Sequence, residues 1–273
     1  MSNYCEITIP AEQAIQELLI AELSQIGYDG FEESDKALKA YVPEEHFSEP
    51  DLNILLSNYN LNHSKSIINK QNWNELWESN FEPVQVDDFV GIRASFHPPF
   101  TDVAHEIVIT PKMSFGTGHH ATTYSVMQLM RDLDFRDKTV FDFGTGTGIL
   151  AILAEKLGAT KLLAVDNDDW CIENASENIL INGCKYIDIQ KVDKCNIDSK
   201  FQIILANINK NIILDNIEAL ANGLEKNGNL VLSGLLIEDE ADIQTACEAL
   251  KLVHQTTVQR NGWIACRFTG ENL

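Results

Sequence analysis

No Cys-x-x-Cys pair occurs in the 273 residues, and the six cysteines, Cys5, Cys171, Cys184, Cys195, Cys247 and Cys266, are scattered. That excludes the dense disulfide framework of small secreted domains and reads as the reduced thiols of a cytosolic protein. No apolar run approaches the roughly 20 residues that cross a bilayer. The opening Met-Ser-Asn-Tyr-Cys-Glu carries no basic-then-apolar leader, so a cytoplasmic protein without membrane attachment is expected. Internal repeats and low-complexity segments are also missing. Basic residues are scarce: 20 Lys and Arg stand against 41 Asp and Glu, a net charge of −21. An average surface of that sign repels phosphate backbones and anionic lipid heads, so nucleic acid is a poor direct partner and a basic protein a good one.

What is present is enough apolar content, 44%, for one large core or two modest ones. Tyr4 to Pro10 alternates as a strand, and Ala11 to Ile26 carries Ile15, Leu18, Leu19, Leu23 and Ile26 at helical spacing before Gly27. Short strands follow at Gly30 to Glu33 and Ala37 to Val42, then a helix from Glu49 to Asn58 and a strand over Ser64 to Ile68. The order βαββαβ predicts a small α+β unit with helices on one face of its sheet. Residues 1–69 hold 12 acidic and 3 basic side chains, a local net of −9. That density fits a solvated surface and equally a docking face for a cationic protein. In 70–82, Trp73, Leu76, Trp77 and Phe81 share a helical stripe, predicting a linker helix that packs by its aromatics.

From residue 83 to 273 strands and helices alternate. Strands are expected at Thr139 to Phe143, Lys161 to Asp166, Ile187 to Val192, Phe201 to Ala206 and Asn229 to Ser233. Helices are expected at Ile149 to Leu157, Asp169 to Ile181, Asn209 to Ala221 and Glu238 to Leu250. That rhythm means parallel pairing, right-handed crossovers and a ligand site at the carboxyl edge of the sheet. The chain closes with a hairpin, Leu252 to Arg260 and Trp263 to Thr269, on an Asn261-Gly262 turn.

The most informative stretch is Asp142-Phe143-Gly144-Thr145-Gly146-Thr147-Gly148, a buried strand opening into a helix. Its glycines let the backbone turn sharply and come close to a ligand. The spacing G-x-G-x-G, with Ile149 where a dinucleotide loop has its third glycine, weakens a nicotinamide-dinucleotide reading. Asp166 ends the next strand, 22 residues after Gly144. A carboxylate there can accept both ribose hydroxyls of a nucleoside, although alone it could be a helix cap or a turn residue. A nucleotide-dependent oxidoreductase would use the same two features.

The glycine loop together with Asp166 resembles the first two motifs of the doubly wound S-adenosylmethionine-dependent methyltransferases. Phe115-Gly116-Thr117-Gly118-His119-His120-Ala121-Thr122-Thr123 resembles a narrower signature, Phe-Gly-Thr-Gly-Thr-His-Pro-Thr-Thr, of the ribosomal protein L11 methyltransferase family. The pair Trp73 and Trp77 and the strand end Leu205-Ala206-Asn207-Ile208 fit the same family, so the resemblance spans nearly the whole chain. It departs at His119 and Ala121.

The resemblance implies a doubly wound, mostly parallel seven-stranded sheet, with S-adenosylmethionine as methyl donor held by Thr123, Gly144, Gly146, Asp166 and Asn207. It further implies methylation of lysine side chains and the N-terminal α-amine of a basic large-subunit ribosomal protein, L11, with 1–69 recognising that protein. Read from the residues alone, Thr123 in a first helical turn could simply cap an amide. Two adjacent histidines without a third ligand at a suitable spacing do not make a zinc site, and no metal is expected. Asn207-Ile208-Asn209 lacks the prolines and aromatic of the Asn-Pro-Pro-aromatic strand end. A glutamine-amide or nucleic-acid N-methyltransferase is therefore the alternative, less suited than an amine methyltransferase. Asn207, uncharged, is the candidate catalytic residue, acting by positioning the amine.

Overall fold

The computed structural model describes residues 4–34, 36–68, 81–112, 116–195 and 199–271. The linker helix expected over 70–82 lies, up to residue 80, outside them. The chain divides into two compact units, Met1–Leu76 and Trp77–Leu273.

In the first unit the elements run β1 (Tyr4–Pro10), α1 (Gln13–Gln25), β2 (Gly30–Glu33), β3 (Ala37–Pro43), α2 (Glu49–Ser57) and β4 (Ser64–Ile68). The sheet is antiparallel in the order β2-β3-β1-β4. Alternation decides its faces: Cys5, Ile7, Ile9, Leu38, Ala40 and Val42 are buried against Leu19 and Leu23 of α1 and Leu52, Leu55 and Leu56 of α2. On the other face the Glu6 carboxylate accepts from Lys39 and Tyr41, each at 3.2 Å, and from Ser66 at 3.3 Å.

The second unit opens with a small sheet that the sequence reading did not anticipate: β5 (Val84–Val86), β6 (Val90–Ala94) and β7 (His105–Ile109). Phe81 precedes it in irregular backbone, buried at 4% exposure rather than on a helix. Then come α3 (Ala121–Arg131), β8 (Thr139–Phe143), α4 (Ile149–Lys156), β9 (Lys161–Asp166), α5 (Asp169–Ile181), β10 (Ile187–Lys191), β11 (Phe201–Asn207), α6 (Lys210–Gly223), β12 (Leu224–Leu236), α7 (Glu240–Ala249), β13 (Val253–Arg260) and β14 (Trp263–Thr269). The seven-stranded sheet runs β10-β9-β8-β11-β12-β14-β13. Its first five strands pair in parallel and β14 pairs antiparallel to both neighbours.

Strand alternation again explains the layering. Val140, Ile203, Leu205 and Val231 face one core with Val126, Met130, Ile149 and Leu153 of α3 and α4. Phe141, Ile204, Ala206 and Leu232 face the other with Ile213, Ile217 and Leu220 of α6 and Ile243 of α7. A helix layer on each face makes the sheet doubly wound, as expected. Asn261 and Gly262 take φ of +50° and +82°, the left-handed pair that a two-residue hairpin turn requires.

Candidate active site

At the carboxyl edge of the large sheet lies a cleft of about 1040 Å³, between the ends of β8 to β12 and the start of β14. It opens where the chain reverses direction, stepping from β8 outward to β9 and β10, then back to β11 and β12. That is where α/β sheets bind ligands. Thr123, Gly144, Gly146, Asp166 and Asn207, all five residues singled out above, line it.

The glycine loop is a built cradle. Gly144, Gly146 and Gly148 have φ of +76°, +55° and +80°, which L side chains rarely adopt. At Gly144 a Cβ would also overlap the Ile208 side chain. The amides of Gly144 and Thr145 both donate to the Val165 carbonyl at 2.9 Å. Asp166 receives the Gly146 amide on Oδ2 at 2.9 Å and the Asp168 amide on Oδ1 at 3.1 Å. Each oxygen keeps a lone pair for a ribose hydroxyl. Trp170, 70% exposed, stands at the rim beyond it.

Beneath the loop, Asp142 is fully buried, with Thr145 Oγ1 donating to its Oδ2 at 2.6 Å and no hydrogen-bond partner at Oδ1. Burial pushes its carboxyl up to about 7; the Thr145 hydroxyl opposes that rise and the nearby Asp166 charge adds to it. Cys171, also in the lining, is pushed up to about 11 by burial and by the charges of Asp166 and Asp168. It remains a thiol near neutrality and is no nucleophile.

Across the cleft, Asn207 Nδ2 donates to Thr123 Oγ1 at 3.3 Å, while Asn207 Oδ1 is buried without a hydrogen-bond partner. Thr123 is therefore not the helix cap. His120 fills that role, its Nδ1 accepting the Thr122 amide at 3.3 Å. Sequence reasoning assigned His120 nothing; here it also stands against Trp263, ring centroids 4.7 Å apart and planes at 72°. Trp263 lines the cleft from β14 and carries no local motif that could have marked it. The glycine-rich segment before α3 is tied to the glycine loop, with Thr147 Oγ1 donating to the Gly116 carbonyl at 2.6 Å. Phe115, the first residue of its signature, lies outside the described residues. No group of three or more His, Cys, Asp or Glu is placed to hold a metal ion among the described residues.

A cradle of three left-handed glycines, an acceptor carboxylate on the next strand and an uncharged amide across the switch point define an S-adenosylmethionine-dependent methyltransferase of the doubly wound class. Comparison with known proteins narrows this. The family model described as ribosomal protein L11 methyltransferase (PrmA) matches residues 6–271, and the chain belongs to that family. Among its relatives, the ribosomal protein L11 methyltransferase of Porphyromonas gingivalis is 42% identical over 264 residues, covering 94% of this chain and 91% of its own. The enzyme of the same name from Chlorobaculum parvum is 36% identical over 286 residues, covering 99% and 98%. The crystal structure of a ribosomal protein L11 methylase from Lactobacillus delbrueckii subsp. bulgaricus superposes with a TM-score of 0.63 at 31% identity, covering 69% of this chain and 98% of that one.

Proposed function

We propose that this chain transfers methyl groups from S-adenosylmethionine to amino groups of ribosomal protein L11, on lysine side chains and the N-terminal α-amine, in repeated rounds. One observation carries the reading: a buried acceptor, Asn207 Oδ1, stands unpartnered in the same cleft as the glycine cradle and Asp166. A buried polar atom without a partner is costly unless a ligand completes it.

The donor, when bound, supplies an already activated methyl sulfonium, so the chain must align groups and exclude water. Gly144 and Gly146 let the backbone approach the donor, and Asp166 takes its ribose hydroxyls. Thr123 Oγ1 holds the Asn207 amide through Nδ2, which leaves Oδ1 free to accept an N–H from the incoming amine. A lysine amine, protonated near neutrality at a reference pKa of about 10.4, must arrive with its lone pair free. An uncharged acceptor orients it without favouring the ammonium form, as a carboxylate would. Residues 1–69 recognise the basic substrate, free or on the ribosome, and 70–82 connect them to the transfer domain, all in the cytoplasm. Among the described residues, no helix is long and apolar enough to cross a membrane.

Intact-mass analysis of unmodified large-subunit ribosomal proteins, after incubation with this protein and S-adenosylmethionine, tests the proposal. Increments of one methyl mass confined to L11 are expected. Donor binding without any increment on L11 would refute it.

A further inference from the structure

The strand order β10-β9-β8-β11-β12-β14 sets the ends of these strands in a row along the cleft. Asp193 follows β10, Asp166 ends β9, the glycine loop follows β8, Asn207 ends β11, Gly234 lies in β12 and Trp263 opens β14. Neighbouring strands are about 4.8 Å apart, so the row has two halves. Carboxylates occupy the β9–β10 half. An amide, a glycine and an indole occupy the β11–β14 half. Of the carboxylates near that second half, Asp215 lines the cleft from α6, exposed and not at a strand end, and Asp239 and Asp242 are held by Lys210 at 3.0 and 2.6 Å.

The transfer reading gives that second half a specific task. As the nitrogen lone pair forms the new C–N bond, the S–C bond breaks, its electron pair stays on sulfur, and the positive charge passes from sulfur to nitrogen. The methylammonium product then loses a proton to solvent before its nitrogen can attack again. Each round removes one N–H, so a site built only on hydrogen bonds would grip its acceptor less at every step. An aromatic face attracts an ammonium without needing an N–H, most of all a quaternary one.

Trp263 is placed and held for that task. Its indole makes no hydrogen bond to any described residue; the His120 ring fixes it from one side. Three residues earlier, the Arg260 guanidinium lies 3.6 Å over the Tyr124 ring, whose hydroxyl donates to Asp87 at 2.7 Å. Tyr124 follows Thr123 on α3, so the same brace that holds the hairpin also fixes the indole relative to the Thr123–Asn207 pair.

We propose that Trp263 is the acceptor-side wall of the active site, receiving the methylated ammonium and determining how far transfer to one nitrogen is repeated, while Asn207 orients the early acceptors that still carry N–H. This rests on the amine-transfer reading above.

The test measures binding first, with the full chain saturated by S-adenosylhomocysteine and titrated with N-acetyl-trimethyllysine amide or its uncharged tert-butyl carbon isostere. The cationic compound is expected to bind about three- to thirtyfold tighter than the isostere. Trp263→Leu should erase that preference and Trp263→Phe keep most of it, with S-adenosylhomocysteine titration confirming that each variant is folded. Equal affinities in the unmodified protein, a preference that survives Trp263→Leu, or no binding of the cationic compound would each overturn the proposal. On L11 itself, Trp263→Leu should slow later transfers more than the first, so that mono- and dimethylated product accumulates, and Trp263→Phe should restore the distribution. Uniform slowing with an unchanged distribution would overturn it as well. An unmodified protein that prefers the cationic compound yet leaves L11 untouched would remove L11 as substrate and leave the role of Trp263 supported.

Discussion

Two buried polar atoms without hydrogen-bond partners, Oδ1 of Asn207 and Oδ1 of Asp142, call for different explanations. Asn207 lines the cleft, where the proposed acceptor would complete its Oδ1, whereas Asp142 is fully buried and outside the cleft lining. Asn207→Ala should leave donor affinity within a few-fold, since the glycine loop and Asp166 remain, but lower the transfer rate about a hundredfold through loss of alignment. Donor titration beside single-turnover rates checks this, and normal turnover in the variant would end the positioning role. For Asp142 the folded pKa is raised to about 7. Between about pH 4 and 7 the folded chain therefore holds a proton that the unfolded chain has lost. Stability from this group is complete below pH 4 and falls as pH rises through 7. Asp142→Asn, neutral throughout, should match the parent near pH 4 and gain on it up to about pH 8, by a few kcal/mol at most. Melting curves across that range measure the gain; a difference independent of pH would contradict it.

At the scale of elements, α5 shows how a polar helix face can be a core face. Asn174, Asn178 and Asn182, one turn apart, pair with the free edge of the strand region ending in β7. Asn178 Oδ1 accepts the Thr110 amide at 2.8 Å, Asn182 takes both polar groups of Val108 at 3.0 and 2.6 Å, and Asn174 donates to the Thr110 carbonyl at 3.2 Å. Asn178 also donates to the Thr147 carbonyl at 2.9 Å, joining that edge to the glycine loop. Asn178→Ala leaves an amide and a carbonyl without partners and should cost about 2–4 kcal/mol, with weaker donor binding as the loop loosens. Chemical denaturation and donor titration test the two effects. This network was not legible in the sequence, because Asn at helical spacing looks like a solvated face until its partner strand is known. The partner sheet was hidden too: β5 has three residues. β6 contains Gly91, whose missing side chain makes room for the Phe100 ring. By contrast, β8, β9 and β11 to within a residue, and the meeting of Gly144, Gly146 and Asp166 at one sheet edge, were legible, because long apolar strands and left-handed glycines leave strong local signals. Asn207 could be placed at a strand end; that Thr123 would meet it, 84 residues away in the chain, depends on tertiary packing alone.

Across the whole molecule, charge is shared unevenly. The net of −9 in 1–69 belongs to a unit with its own core, while the donor cleft lies wholly within the second unit. A fragment of residues 70–273 keeps both cores that enclose the large sheet, so it should fold and bind donor with the affinity of the full chain. It should methylate free lysine-containing peptides and the full chain's protein substrate at similarly low rates, because the unit that would present particular amines is gone. If the first unit recognises the substrate as proposed, the electrostatic part of that recognition is separable by salt. The Debye length falls from about 10 Å at 0.1 M to about 3 Å at 1 M. Raising salt over that range should therefore raise the KM of the full chain for its basic substrate several-fold and leave donor affinity and the fragment's KM nearly unchanged. In the proposed site the donor is held by backbone contacts and short hydrogen bonds inside a cleft, which screening reaches weakly, whereas long-range attraction between an acidic surface and a cationic protein is what salt removes. Equal transfer by fragment and full chain would take the first unit out of substrate recognition. A loss in the fragment that salt does not reproduce in the full chain would instead assign recognition to shape and apolar contact rather than charge.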